Sequence, residues 1–96
     1  MARIYVHSSI RINIEVTDFK EALTDPSMQI LKIYDPAGTL KATKNQGDPG
    51  YIRDSQGKYH YDFPTASDAV KGIWSIEWDA TIGDLPEHGE AEFVVR

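Results

Sequence analysis

His60 and Asp62 stand two residues apart in Lys58-Tyr59-His60-Tyr61-Asp62-Phe63, and Ser55 and Ser75 supply hydroxyls in the same part of the chain. Hydroxyl, imidazole and carboxylate are the parts of a nucleophilic triad, in which the base takes the hydroxyl's proton and the acid orients the base. Geometry defines such a triad, and no Gly-x-Ser-x-Gly elbow exists here to present the serine. The competing reading makes His60 and Asp62 the polar side of a strand whose other side carries Tyr59 and Tyr61. We therefore expect no catalytic residue and no enzyme. His7, His60 and His88 lack ligand spacing such as His-x-x-x-His, and the chain has no cysteine for a zinc–thiolate site. Neither Asp48 to Asp54 nor Asp79 to Glu90 follows the Asp-x-Asp-x-Asp-Gly pattern of a calcium loop, so calcium would require carboxylates of separate loops to converge. The expectation is no metal. The glycines are dispersed and none opens a helix as a phosphate cradle, so no nucleotide or other cofactor is expected. Tyr5, Tyr34 and Tyr51 remain as rings that could stack on sugars, against the alternative of core or rim positions.

The whole chain is 96 residues with a formal charge of −5, which fits one small domain with a modest core and little room for a deep pocket. Its share of Ile, Leu, Val and Phe lies above the roughly 20% below which disorder is the better expectation. Charge is unevenly placed. The excess acid is carried by Glu77, Asp79, Asp84, Glu87, Glu90 and Glu92, against Arg96 alone in the last twenty residues. That end would repel nucleic acid, and Lys41 and Lys44 are an isolated basic pair. It is read either as a solvated strand and loop or as a docking surface for a basic partner. No apolar run approaches the ~20 residues of a membrane span, and the N-terminal segment has neither the apolar stretch nor the cleavage site of a secretory signal. A protein that is not Sec-exported and meets no membrane is expected.

The elements that must position these residues are strands. Ile10 to Thr17 alternates strictly between branched apolar and polar residues, the period of a half-buried strand. Residues 28–34 read as a strand whose facing is open, with Leu31 and Ile33 on one side and Met28, Ile30 and Tyr34 on the other. Residues 58–63, the run from Trp74 to Ala80, and Glu90 to Val95 alternate again. Asp35-Pro36-Ala37-Gly38 has the residues of a type I turn, and should join residues 28–34 to Thr39 through Lys44 as a hairpin. Asp54-Ser55-Gln56-Gly57 repeats the Asp and Gly positions, Thr24-Asp25-Pro26-Ser27 offers Asp-Pro, and Asp48-Pro49-Gly50 suits a type II turn. No segment carries a helical stripe; residues 18–23 and 67–70 are single turns at most. Strands without helices must bury their apolar faces against each other. The expected fold is an all-β, Ig-like antiparallel sandwich of about seven strands over residues 1–96. Residues 1–9 form either an N-terminal arm or the first edge strand. The expected core is Ile12, Ile14, Tyr59, Tyr61, Phe63, Trp74, Ile76, Trp78 and Phe93. The Gly57, Tyr59, Tyr61 spacing reproduces a tyrosine corner, with Tyr59 bonding back across it and Tyr61 where antibody domains place a cysteine.

In linear order, Ile10 to Val16, Ala22 to Ser27, Asp35-Pro36-Ala37-Gly38-Thr39, Arg53 to Asp62 and Gly72-Ile73-Trp74-Ser75-Ile76-Glu77-Trp78 resemble small Ig-like proteins of the structural-gene modules of tailed bacteriophages and prophages. A weaker likeness is to bacterial macroglobulin-type domains, carried by the Asp-Pro-x-Gly hairpin, the Asp-x-x-Gly-x-Tyr segment and Asp68-Ala69-Val70-Lys71-Gly72-Ile73-Trp74. The first resemblance implies a virion component, made in the host bacterial cytoplasm and attached to the capsid surface or the head-to-tail neck. Its partners would be capsid, portal or neck subunits and further copies of itself, with no catalytic residue carried over. Ile4, Tyr5 and Val6 at the N-terminal edge and Glu87, Glu90 and Glu92 at the acidic end are the candidate interface residues. A carbohydrate or host-surface binding module is the alternative.

Overall fold

The alternation in the sequence becomes two facing sheets. The structure, a computed structural model, describes residues 2–6, 11–63 and 70–95, and for Ala2, Tyr5 and Val6 the backbone only. Its strands are β1 (Ala2–Val6), β2 (Arg11–Val16), β3 (Met28–Tyr34), β4 (Leu40–Asn45), β5 (Tyr51–Ser55), β6 (Lys58–Asp62), β7 (Gly72–Ile82) and β8 (Leu85–Val95). One sheet runs β1-β2-β6-β5 and the other β4-β3-β7-β8, and every neighbouring pair is antiparallel. The protein is an all-β sandwich, with no helix among the described residues. Among the described residues there are eight strands, against the expected number of about seven. The additional one is β5, where only Tyr51 is buried and the next four residues are exposed, so it carries no alternation to read.

The core is built from the inward row of each strand. Ile12, Ile14 and Val16 of β2, Leu31 and Ile33 of β3, Tyr59 and Tyr61 of β6, and Trp74, Ile76, Trp78 and Ala80 of β7 are buried together with Tyr51 and Phe93. The open facing of residues 28–34 resolves with Gln29, Leu31 and Ile33 inward and Met28 exposed. Phe63 is half-buried, and its ring closes one end of the core against Trp74 at 5.5 Å and Phe93 at 6.1 Å. Each fully buried side chain of this kind contributes roughly 1.5–3 kcal/mol. β1 is the edge strand of the first sheet, its backbone paired from Ala2 opposite Val16 to Val6 opposite Ile12. Residues 7–10, 64–69 and the chain ends at 1 and 96 lie outside the described residues, and with them Ile10 and most of the turn expected at 67–70.

Turn chemistry sets the connections. At Asp35 the side-chain Oδ1 accepts the amides of Ala37 and Thr39, each at 2.9 Å, and the Gly38 amide donates to the Asp35 carbonyl at 2.9 Å. Gly38 has φ +86°, and the extra residue appears as a register shift between Ile33 and Tyr34. The same turn is built a second time. Asp18 Oδ1 accepts the amides of Lys20 and Ala22 at 2.8 and 3.1 Å, and the Glu21 amide donates to the Asp18 carbonyl at 3.0 Å. In both turns the first residue's amide donates to the fifth residue's carbonyl, at 2.9 Å in one and 3.0 Å in the other. Glu21 therefore occupies the position of Gly38, with φ +63°. Asp48-Pro49-Gly50 closes by a bond from the Tyr51 amide to the Asp48 carbonyl at 3.1 Å with Gly50 at φ +89°, as a type II turn requires.

The segment around Gly57 departs from the expected turn and corner. Ser55 pairs with Lys58, so the loop is only Gln56-Gly57, and Asp54 lies inside β5 instead of starting a turn. The hairpin joins neighbouring strands of one sheet, whereas a tyrosine corner turns the chain from one sheet to the other. Gly57 is tightly enclosed, because a Cβ there would stand 2.8 Å from the Val16 carbonyl oxygen and 2.9 Å from the Thr24 nitrogen.

Candidate interaction surface

The residues with catalytic potential are separated by the fold. His60 Nδ1 lies 2.8 Å from both carboxylate oxygens of Asp54 across the β5–β6 hairpin. Asp62 instead takes the Arg11 guanidinium, Nε at 2.7 Å and Nη2 at 3.0 Å, and this pairing holds its carboxyl below the usual range. Ser75 sits on β7 in the opposite sheet and Ser55 closes β5. No triad is assembled from them. His88 lies within β8, not in a loop, and bridges Asp79 (Nδ1, 2.7 Å) and Glu90 (Nε2, 3.1 Å). Those two carboxylates, Asp79 first, raise its pKa to about 9, so it is an imidazolium at neutral pH. Among the described residues no group of three His, Cys, Asp or Glu side chains is arranged to hold a metal ion.

Asp25, on the β2–β3 connection, gathers four donors. Arg53 reaches it through Nε and Nη2, with Nη2 at 2.9 Å, the Gly57 amide at 2.9 Å and the Tyr59 hydroxyl at 2.9 Å. Arg53 and then the Gly57 amide hold its pKa at about 2. The Tyr59 hydroxyl is pushed up to about 12, by burial and then by this carboxylate. Tyr59 thus bonds to a side chain of the β2–β3 connection, which replaces the expected bond across a corner. Tyr61, in the position likened to an antibody cysteine, is covered by the Lys44 ammonium 5.6 Å from its ring centre.

Tyr51 is a core residue, 5% exposed, and not a sugar platform. Its hydroxyl donates to Gln29 Oε1, the oxygen that also accepts Trp78 Nε1 at 2.9 Å. The indole only donates, so the amide must present its oxygen there, and Gln29 Nε2 is left as a buried donor without a partner. Burial raises the Tyr51 hydroxyl far above its ordinary value. Tyr34 is half-buried and its hydroxyl donates to Glu77 at 3.1 Å, while the Tyr5 side chain lies outside the described residues.

Two surfaces among the described residues are concave. On the outer face of β7 and β8, Glu77 stands opposite Glu90 and Ser75 opposite Glu92, along a shallow groove that Ile76 and Ala91 also line. At the end of the sandwich where the β2–β3 connection meets the β7–β8 hairpin, a cleft of about 350 Å³ is lined by Asp18, Phe19, Ile82, Gly83, Asp84, Leu85 and Glu87. Phe19 is 84% exposed and Leu85 62%. The six expected interface residues lie on β1 and β8, edge strands of the two sheets that come together along one side of the sandwich. Ile4 is half-buried and packed on the core beneath β1, whereas Tyr5 and Val6 are described only by their backbone pairing with Asn13 and Ile12. Glu90 and Glu92 face outward on the acidic face, and Glu87, opposite the inward Ala80, belongs to the cleft. Sequence reading missed Phe19 as a surface residue because a lone Phe beside Leu23 reads as a short apolar segment; its place after an Asp that starts a turn was the available signal. No family model, curated protein or solved structure matches the chain.

Proposed function

We propose that this chain is a non-enzymatic, Ig-like subunit of a tailed-phage or prophage particle, added to the capsid surface or the head-to-tail neck and acting by adhesion. The observation that carries the Ig-like part is strand order. The pairings β1-β2-β6-β5 and β3-β7-β8 are those of strands A-B-E-D and C-F-G in an immunoglobulin domain, with β4 as one further strand beside C. The adhesive part is supported by where the polar groups go. His60, Asp62, His88 and Asp25 are each tied to partners that join strands or loops, so their bonding capacity serves the fold. The exposed Phe19 and Leu85 at the terminal cleft suit contact rather than turnover. The alternative of a sugar-binding module would draw on an exposed tyrosine or tryptophan platform; Trp74, Trp78 and Tyr51 are core residues and Tyr34 is half-buried.

The test is quantitative mass spectrometry of washed particles, from the source organism or an induced prophage, with the portal and major capsid proteins as standards. Copy number matching the portal places the chain at the neck, and copy number scaling with the capsid protein makes it a decoration. Absence from intact particles rejects the virion assignment.

A further inference from the structure

We infer that the cleft between Phe19 and Leu85 docks a protein segment in which a large apolar side chain is flanked by lysine or arginine. The inference rests on the adhesive role proposed above, though not on the particle in which that role is exercised. Its starting point is the pair of identical turns. In the Asp35 turn the second residue is Pro36, which lies against the Gly72 backbone, where a Cβ would come within 2.9 Å of its ring. The fourth residue is Gly38, which tolerates positive φ without cost. Both positions serve the fold. In the Asp18 turn the second residue is Phe19, 84% exposed, and the fourth is Glu21, which holds φ +63° despite its Cβ. An L-residue other than Asn, Asp or Gly in that region is strained by roughly 1–2 kcal/mol. Here the same backbone is kept under strain while it holds an aromatic ring out into solvent beside the cleft.

The occupant follows from the lining. Phe19, Ile82 and Leu85 supply the apolar surface, and Asp18, Asp84 and Glu87 are its charged residues. The nearest base along the chain, Lys20, sits with its ammonium 5.7 Å from the Phe19 ring centre, on that ring rather than in the cleft lining. Apolar side chains beside carboxylates select a ligand that carries both an apolar group and cations. Nucleic acid and anionic membrane would be repelled by the same carboxylates. About 350 Å³ is room for one large side chain and its neighbours, not for a folded domain.

The experiment titrates the ¹⁵N-labelled full chain with three capped hexapeptides: one with a phenylalanine between lysines, one with glutamates replacing the lysines, and one with serine replacing the phenylalanine. Shifts confined to residues 18–23 and 81–87, saturating with the lysine–phenylalanine peptide and about tenfold or more weaker with the other two or at high salt, are expected. Phe19→Ser should weaken binding about tenfold or more while the spectrum elsewhere stays unchanged, and Leu85→Ser is the second variant should the first fail to fold. No shift at millimolar peptide, equal response to all three peptides, or shifts mapped elsewhere would overturn the inference. So would micromolar self-association in sedimentation that Phe19→Ser abolishes, which would make a second copy the occupant. These readouts use the isolated protein, so their failure is separable from absence from particles.

Discussion

Tyr59 donates its hydroxyl to Oδ1 of Asp25 at 2.9 Å, and the Gly57 amide reaches the same oxygen at 2.9 Å. One carboxylate thereby joins the β2–β3 connection to the β5–β6 hairpin. Its pKa of about 2 lies below the ordinary aspartate value, so the contribution to stability is present above about pH 4 and is lost as pH falls toward 2. Asp25→Asn should lower the melting temperature at neutral pH and flatten the decline between about pH 4 and 2. Urea midpoints measured across that range check it; an unchanged slope in the variant would contradict the assignment.

The opposite sign applies to His88. Its pKa is raised to about 9, so its stabilising effect is complete below about pH 6.5 and disappears as pH climbs through 9. Asp79→Asn should bring the imidazole's titration down toward its ordinary value, because Asp79 is the larger cause. Proton or carbon shifts of the His88 ring against pH report this directly, and a midpoint unmoved by the substitution would show that Asp79 does not hold it.

Gln29 predicts an asymmetry. Gln29→Met leaves the Trp78 indole and the Tyr51 hydroxyl as two buried donors without an acceptor, a loss of about 2–4 kcal/mol. Tyr51→Phe leaves Gln29 Oε1 still bonded to Trp78 and should cost only about 1 kcal/mol. Chemical denaturation of both variants decides, and equal losses would mean that the amide is not the acceptor shared by the two rings.

The paired turns give a fourth comparison. Nothing lies within 4 Å of a Cβ built at Gly38, so Gly38→Ala tests the backbone alone and should cost about 1–2 kcal/mol. Glu21→Gly releases the same strain and, after the added freedom of the unfolded chain, should gain up to about 1 kcal/mol. Melting temperatures moving in opposite directions are expected. A loss from Glu21→Gly would show that the glutamate side chain contributes more than its conformation costs.

Much of the sandwich can be read from the sequence because an inward row of Ile12, Ile14 and Val16, or of Trp74, Ile76 and Trp78, is a local pattern that survives folding. The Asp35 and Pro49-Gly50 turns are legible for the same reason, as their residues fix their own dihedrals. β5 was hidden because a strand at a sheet edge with one buried residue has no period. Gln29 was hidden because nothing beside it announces the Trp78 and Tyr51 donors that fold onto it from 49 and 22 residues away. The partners of His60 and Asp62 depend on which strands become neighbours. Two residues of one strand face tempt a pairing that Asp54 and Arg11, arriving from the adjacent strands, take over.

The pairing of Ala2 with Val16 at one end of the sandwich and of Val95 with Gly72 at the other has a mechanical consequence. The described chain leaves from opposite ends of a body 41 Å long, with β1 and β8 running in the same direction in different sheets. Tension applied through the two ends runs along the strands, and ladder bonds lie across them. The bonds between β1 and β2 and between β8 and β7 are then loaded side by side in shear instead of being peeled one at a time. Force applied between residues 2 and 95 would therefore make the body yield only when a whole ladder gives way together.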